Sequence, residues 1–329
     1  MKTKAGGAKG VMPRVARDTR YQFFAAVILF CGVLSLAFIP PTGMHALAME
    51  PAQELGPIQE LGPVKPQELE LNFIDFPAAE STPKPSASVA GWSYDNGSIR
   101  IEITEHKEHG AIYFTVELWL SDIMQLQSAF SSNKFDSTTE TVKDIAGRHN
   151  AILAINGDFA TFNNGGIIIR NGELYRANKS TRQLLIIGQN GDFSAFTDPP
   201  EDAKNAASRF LEQGVWHTCV FGPVLVENGQ PVELPDRFFI KPSAHEPRTA
   251  IAQLEPLHYL MIIVDGRQDG YSNGITLAEL RNLFILYGAE TAFNLDGGGS
   301  TTLYFDGEVL NRPANGYARR VPDIFFIER

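Results

Sequence analysis

Three consecutive glycines, Gly297-Gly298-Gly299, stand between Asn294-Leu295-Asp296 and the hydroxyls of Ser300, Thr301 and Thr302. Glycine loses more conformational freedom on folding than any other residue, so a bare turn gains nothing from three of them. What they offer is close approach of backbone N–H groups to a ligand, as in an anion-binding nest. A carboxylate directly before and hydroxyls directly after make this loop the first candidate for a site; the alternative is a flexible hairpin connection. It is not a phosphate-binding loop of the Walker type, because no Lys follows and TTLYF reads as a strand. Nor is it a hydrolase elbow, which needs Gly-x-Ser-x-Gly.

Four other segments could contribute. Asn156-Gly157-Asp158-Phe159 ends the apolar run AILAIN, and Val264-Asp265-Gly266-Arg267 ends YLMIIV. Arg248 enters a small-residue strand in PRTAIA, and Arg319-Arg320 precedes Val321-Pro322. Taken singly, such an Asp usually just shapes its own turn, and such an Arg is usually solvated. Together, Asp158, Asp265, Asp296 and several guanidiniums suit a sugar bound beside a phosphate.

The elements that must position these residues are mostly strands. Asn96-Gly97, Asn171-Gly172, Asn190-Gly191, Asn228-Gly229 and Asp306-Gly307 each sit between apolar or alternating runs. Those dipeptides supply the positive φ that tight hairpins require. Three helices are predicted. Ser137-Thr-Thr-Glu140 reads as a capping box before Val142, Ile145, Ala146 and His149, and Thr276-Leu-Ala-Glu279 as another before Leu280, Phe284 and Tyr287. A third is expected from Pro199 to Gln213, capped by Asp198 and stopped by Gly214. The expected fold class is α+β: mixed, largely antiparallel sheets with a few packed helices in one large domain over 91–329.

The chain has 329 residues and a formal charge of −10, unevenly distributed. Residues 1–20 hold six bases and one acid, 21–39 hold no charge, and the remainder holds 22 bases against 37 acids. So acidic a body lacks the basic surface that nucleic-acid binding needs, and no nucleic-acid partner is expected. Phe23–Ile39 is 17 apolar residues closed by Pro40-Pro41, roughly 25 Å as a helix. With its positive flank it reads as a signal-anchor through 21–39, or a signal peptide cut after Ala48. Either way the domain is exported, held at the cell membrane or secreted. Residues 40–85 contain nine of the 20 prolines and repeat Gln-Glu-Leu-Gly-Pro, so 40–90 reads as an extended spacer.

AINGDF, PRTAIA, VDGR, SNGITLAEL, FNLDGGGSTTL and RRVPDI, in that order, resemble the phosphodiester glycosidases, a family with exopolysaccharide-related bacterial members. The resemblance covers roughly 95–329. It implies an α+β domain that cleaves the bond between a sugar anomeric carbon and a phosphodiester. It also implies that Asn156, Asp158, Arg248, Asp265, Arg267, Asp296, Gly297, Gly298, Gly299, Ser300, Thr301 and Arg320 line the site. Ala160 departs from the pattern, standing where a second aromatic often follows Phe159.

The chemistry follows from the leaving group. A phosphate monoester, with its second pKa near ~6, departs without obligatory protonation. The demand therefore shifts toward anion stabilisation, by Arg248, Arg320 and the glycine amides. One carboxylate must meet the oxocarbenium-like centre or activate water. Asp296 is the expected residue, with Asp158 second; Asn156, Asp265, Arg267, Ser300 and Thr301 are expected to bind substrate. No cofactor is named by the residues, although Asp265 or Asp269 offers a ligand to a divalent cation. His106 and His109 have loose metal spacing but read as a solvated hairpin end, and His245 reads as an exposed loop residue near Arg248. Cys219 reads as a small apolar core residue. The alternative function is a non-catalytic, surface-tethered glycan-binding module, in which Phe159, Phe162, Tyr271 and Tyr317 would stack on sugar.

Overall fold

The computed structural model describes residues 88–236 and 238–329, all within one unit, Ile74–Arg329. The predicted leader, apolar segment and nearly all of the spacer lie outside the described residues. The first strand begins at Ser88, three residues before the expected domain start.

Every strand pairing among the described residues is antiparallel. The largest sheet has eight strands in the order β1 (Ser88–Asp95), β2 (Ile99–Glu108), β3 (Ala111–Leu120), β14 (His258–Val264), β13 (Arg248–Glu255), β15 (Thr291–Asn294), β11 (Val224–Glu227) and β12 (Gln230–Pro231). A five-stranded sheet runs β17 (Glu308–Val309), β16 (Leu303–Phe305), β5 (Ala151–Asn156), β18 (Asp323–Glu328), β4 (Leu126–Phe130). Two smaller sheets pair β10 (His217–Cys219), β8 (Leu184–Ile187) and β9 (Phe193–Phe196), and β6 (Gly166–Arg170) with β7 (Glu173–Asn178).

Strand alternation builds the layers. Ile251, Met261, Ile263 and Phe293 of the large sheet pack against Leu153, Ile155, Leu303 and Phe325 of the five-stranded sheet. On the outer face of the large sheet, Ala250, Ala252, Leu260 and Ile262 pack on α3 (Leu277–Leu286) through Leu277, Leu280 and Phe284. On the other side, Ala154, Ile324 and Phe326 receive α1 (Val142–Arg148) through Ile145 and Ala146. Cys219 lies in the central core, fully buried.

All five Asn-Gly or Asp-Gly turns join neighbouring antiparallel strands, and α3 opens with the expected capping box of Thr276 and Glu279. The other two helix starts differ from expectation. Helix α1 begins at Val142 with Thr141 as its cap. Glu140 instead accepts from the Ser132 amide at 2.5 Å and pairs with Arg148 at 2.7 Å, so the box seen in Ser137–Glu140 is a loop clasp. Helix α2 (Ala203–Glu212) is capped by Asp202 rather than Asp198. Two aspartates precede the same apolar stripe, and only the later one reaches an orphan amide, that of Asn205 at 3.0 Å.

Candidate active site

The site forms where three adjacent strands of the large sheet end. Register pairs Arg248, the first residue of β13, with Val264, the last of β14, and Ala250 with Asn294, the last of β15. Asp265-Gly266-Arg267 and Asp296-Gly297-Gly298-Gly299 therefore leave the sheet on either side of Arg248. The amide of Leu295 continues the ladder to Thr249 O at 2.8 Å, and that of Gly298 bonds Pro247 O at 2.8 Å. That proximity dictates glycine at 297: a Cβ there would lie 2.6 Å from Pro247 O. The amides of Gly297 and Gly299 have no acceptor among the described residues.

Asn156, at the end of β5, ties the five-stranded sheet to this loop. Its Nδ2 donates to Asp296 O at 2.7 Å, while its Oδ1 accepts from Thr249 Oγ1 at 2.9 Å and from the Thr302 amide at 3.2 Å. The side chain is spent on holding backbone and is buried.

The result is a cleft of about 240 Å³ lined by Lys241, Glu246, Arg248, Arg267, Asp296, the three glycines and Arg319, with Phe221, Ile240 and Asn294 completing the wall. Four cations face two carboxylates, so the cleft is locally basic in an acidic protein. Arg248 is buried and held by carbonyls alone, at 2.8 Å from Ala244 O and 3.2 Å from Ile275 O. No carboxylate is ion-paired with it among the described residues. Burial brings its pKa down to about 10, opposed by the nearby Glu246 charge and aided by that of Arg267, which still leaves it charged at neutral pH. Arg267 pairs with Glu246 at 2.5 Å on the more exposed side.

Asp296 has only 13% of its side chain exposed. Its Oδ2 accepts from Ser300 Oγ at 2.6 Å and from Arg319 Nη2 at 3.0 Å, while Oδ1 has no donor among the described residues. Burial raises its pKa above the ordinary carboxylate range, against the opposing pull of the Ser300 hydroxyl and the Arg319 charge.

Of the residues singled out from sequence, Asp296, Arg248, Arg267 and Gly297, Gly298 and Gly299 come together at this cleft. Asn156 and Ser300 stand behind it, in contact with Asp296. The others do not line it. Arg320 turns away and donates to Thr139 O at 2.9 Å; its neighbour Arg319 is the one that enters. Asp158 is buried, with one oxygen 2.5 Å from Arg170 Nη2 and the other 2.5 Å from the Val220 amide. Arg170 also meets Asp323 at 3.1 Å, forming an interior carboxylate–guanidinium–carboxylate cluster. Gly157 makes room for it, since a Cβ there would overlap the Asp323 carboxylate. Asp265 accepts from Tyr271, Asn311 and the Arg312 amide, at 3.0, 2.8 and 2.9 Å, and so braces the loops. Among the described residues no group of three His, Cys, Asp or Glu side chains is arranged to hold a metal ion. Thr301 is buried.

Other expectations resolve as packing. His106 bonds Thr115 at 2.9 Å and stacks on Tyr113, and His245 lies exposed 3.5 Å from Glu279. Phe159 and Phe162 stack on each other, and Ala160 is core. Sequence reasoning passed over Lys241, Glu246, Phe221 and Asn294. Only the proximity of Lys241 and Glu246 to Arg248 in the chain could have drawn notice.

The family model for phosphodiester glycosidases matches residues 149–328. The SPbeta prophage-derived uncharacterized protein YomE of Bacillus subtilis (strain 168) is 29% identical over 204 residues, which is 60% of this chain and 31% of that protein. The chain thus spans about a third of the length of this curated relative. A zebrafish structure, the N-acetylglucosamine-1-phosphodiester alpha-N-acetylglucosaminidase catalytic domain auto-inhibited by pro-peptide, superposes with a TM-score of 0.57 at 19% identity. It covers 73% of this chain and 87% of that one, and is a likeness of fold. The family match takes in more than half of the chain and every residue of the cleft: this protein belongs to the phosphodiester glycosidases.

Proposed function

We propose that the protein is a glycosidase-type hydrolase that cleaves the bond between a sugar anomeric carbon and a phosphodiester. The observation that carries this reading is a free Asp296 Oδ1 and a buried Arg248 that makes no ion pair among the described residues, in one cleft. In the reaction, the glycosidic C–O bond breaks and its electron pair leaves with the phosphate monoester, while water supplies the new anomeric hydroxyl and a proton. Asp296 meets the positive anomeric centre or takes the proton of the attacking water. Arg248, Arg267, Lys241 and the amides of Gly297 and Gly299 hold the phosphate, whose charge grows as the bond breaks. Arg248 can do so at little reorganisation cost, because carbonyls already fix its guanidinium.

Sugar-1-phosphodiesters are the substrate class, with cell-envelope or exopolysaccharide glycans as their setting. The domain works outside the cytoplasm, tethered through residues 21–39 or released after Ala48. The support for that placement is the positive leader and apolar run, which lie outside the described residues.

The test is sugar release from a panel of sugar-1-phosphodiesters. The wild type should turn over at least one, and Asp296→Asn should lose ~10²-fold or more of that rate while keeping the fold. Saturable binding without product in the wild type would remove the hydrolase reading, and full activity in Asp296→Asn would remove Asp296 from its role. A reporter enzyme fused after Arg329 and active only outside the cytoplasm tests the export reading.

A further inference from the structure

A second pocket, of about 380 Å³, lies on the α3 side of the large sheet. Its volume falls in the range of small-molecule sites. Tyr113 of β3, Ile275, and Leu283 and Leu286 of α3 give it an apolar floor, and Leu286 is 41% exposed. Two carboxylates, Glu108 and Glu279, also line it, with two imidazoles and one amide as its other polar side chains. No lysine or arginine is among its lining residues, so its charge is opposite to that of the cleft.

Pocket and cleft share a wall. The backbones of Glu246 and Ile275 exchange hydrogen bonds at 3.2 and 3.1 Å. Successive residues of an extended segment face opposite ways, so His245 lines the pocket and Glu246 the cleft. Gly274 keeps the wall thin, since a Cβ there would lie 2.4 Å from Glu246 O. Ile275 serves both sides: it lines the pocket, and its carbonyl accepts from Arg248 Nε at 3.2 Å.

The geometry points to a second ligand site, for a small organic cation: a primary amine on an apolar body, lying against Tyr113, Leu283 and Leu286 with its ammonium toward Glu108. Charge complementarity selects that class, because two carboxylates face no lining cation above an apolar floor. A metal ion fits less well, since no three His, Cys, Asp or Glu side chains among the described residues are arranged to hold one. The Tyr113 hydroxyl donates to Glu108 Oε2 at 3.2 Å and orients that carboxylate, whereas Glu279 is engaged by the Thr276 cap. The occupant braces Ile275, and through its carbonyl Arg248. Amine in the pocket therefore tightens phosphate in the cleft, and phosphate tightens the amine by the same factor. That coupling rests on the reading of Arg248 as a phosphate-holding residue; the amine site does not.

Phenethylamine and hexylamine, titrated into the full chain by calorimetry with hexanol and hexanoate as uncharged and anionic controls, read the site without any reaction. At least one amine should bind, and more tightly than either control. Glu108→Gln should weaken that binding by ~5-fold. Asn282→Trp, which puts a large side chain into the pocket from the exposed surface of α3, should abolish it. Without amine, both variants should release sugar as the wild type does. Saturating amine should raise the affinity for inorganic phosphate by ~5-fold in the wild type and leave it unchanged in Asn282→Trp. No amine binding, hexanol binding as tightly as the amine, or amine binding unchanged in Asn282→Trp overturns the site. A phosphate affinity indifferent to bound amine overturns the coupling. A chain that binds amine in this pocket yet neither binds phosphate nor releases sugar keeps the site and removes the reading of the cleft.

Discussion

Nη2 of Arg319 lies 3.0 Å from Oδ2 of Asp296, and its Nε lies 3.0 Å from the Ser300 hydroxyl that donates to that same oxygen. One carboxylate oxygen is therefore clamped and the other left for substrate. Because the clamp opposes the upward shift that burial imposes on Asp296, it also sets the pH at which the carboxylate ionises. Arg319→Ala should move the acidic limb of kcat/KM to higher pH, because the charge that favours the ionised carboxylate is lost. An unmoved limb would separate Arg319 from the ionisation of Asp296. Arg319→Lys should restore part of the shift.

Arg320→Ala is the paired control. Its Nε bonds Thr139 O on the exposed surface, so loss of the side chain should change stability by less than about 0.5 kcal/mol. Sugar release should stay close to that of the wild type, and a large loss of kcat would bring Arg320 back into the site.

Gly297→Ala should damage the site through geometry alone. The new methyl would lie 2.6 Å from Pro247 O, so the Asp296 loop or the entry to β13 must move. A displacement near 1 Å costs ~10²-fold in rate when a catalytic group is misplaced. Activity should fall much further than the thermal midpoint; equal activity to the wild type would mean that the loop position is not critical.

The interior cluster offers a prediction on stability. Arg170→Met leaves Asp158 and Asp323 buried without their shared counter-charge and should cost about 3–5 kcal/mol in urea unfolding. Adding Asp158→Asn and Asp323→Asn should recover much of that loss, since the penalty lies in the unpaired carboxylates.

Stability should also depend on pH with an unusual sign. Burial pushes Asp265 up to about 6 and raises Asp323 in the same direction, against unfolded values near ~3.9. The folded state therefore binds protons more tightly, and the contribution of these two groups is fully present below about 4 and lost as pH rises through about 6. Glu140, held near 2 by Arg148 and by the amide of Ser132, works oppositely and loses its contribution as pH falls below its ordinary range. Unfolding free energy measured from pH 4.5 to 7 should decline less in Asp323→Asn than in the wild type.

Much of the fold was legible because local rules governed it. Asn-Gly and Asp-Gly could serve little but tight reversals between alternating strands, and Thr276 with Glu279 capped α3 as read. The same capping signature misled at Ser137–Glu140, because Arg148 and the Ser132 amide competed for Glu140 and won. The site divides similarly. Asp296 followed by three glycines is informative in one dimension, since the glycines announce close backbone approach. Asp158 and Asp265 look alike in sequence, each closing an apolar strand, yet one neutralises Arg170 and the other braces three loops.

By itself, the sequence determined an antiparallel α+β body, the Asp296 loop, and the family to which both belong. The reason is that turn chemistry, strand alternation and glycine runs act over a few residues. Only the tertiary structure decided that Arg319 enters the cleft while Arg320 leaves it, that Asn156 holds the Asp296 loop, and that the Asn294 carbonyl meets no donor among the described residues. Those outcomes depend on which groups from distant strands compete for the same charge or hydrogen bond. That competition exists only once β5, β13, β15 and the segment before β18 meet.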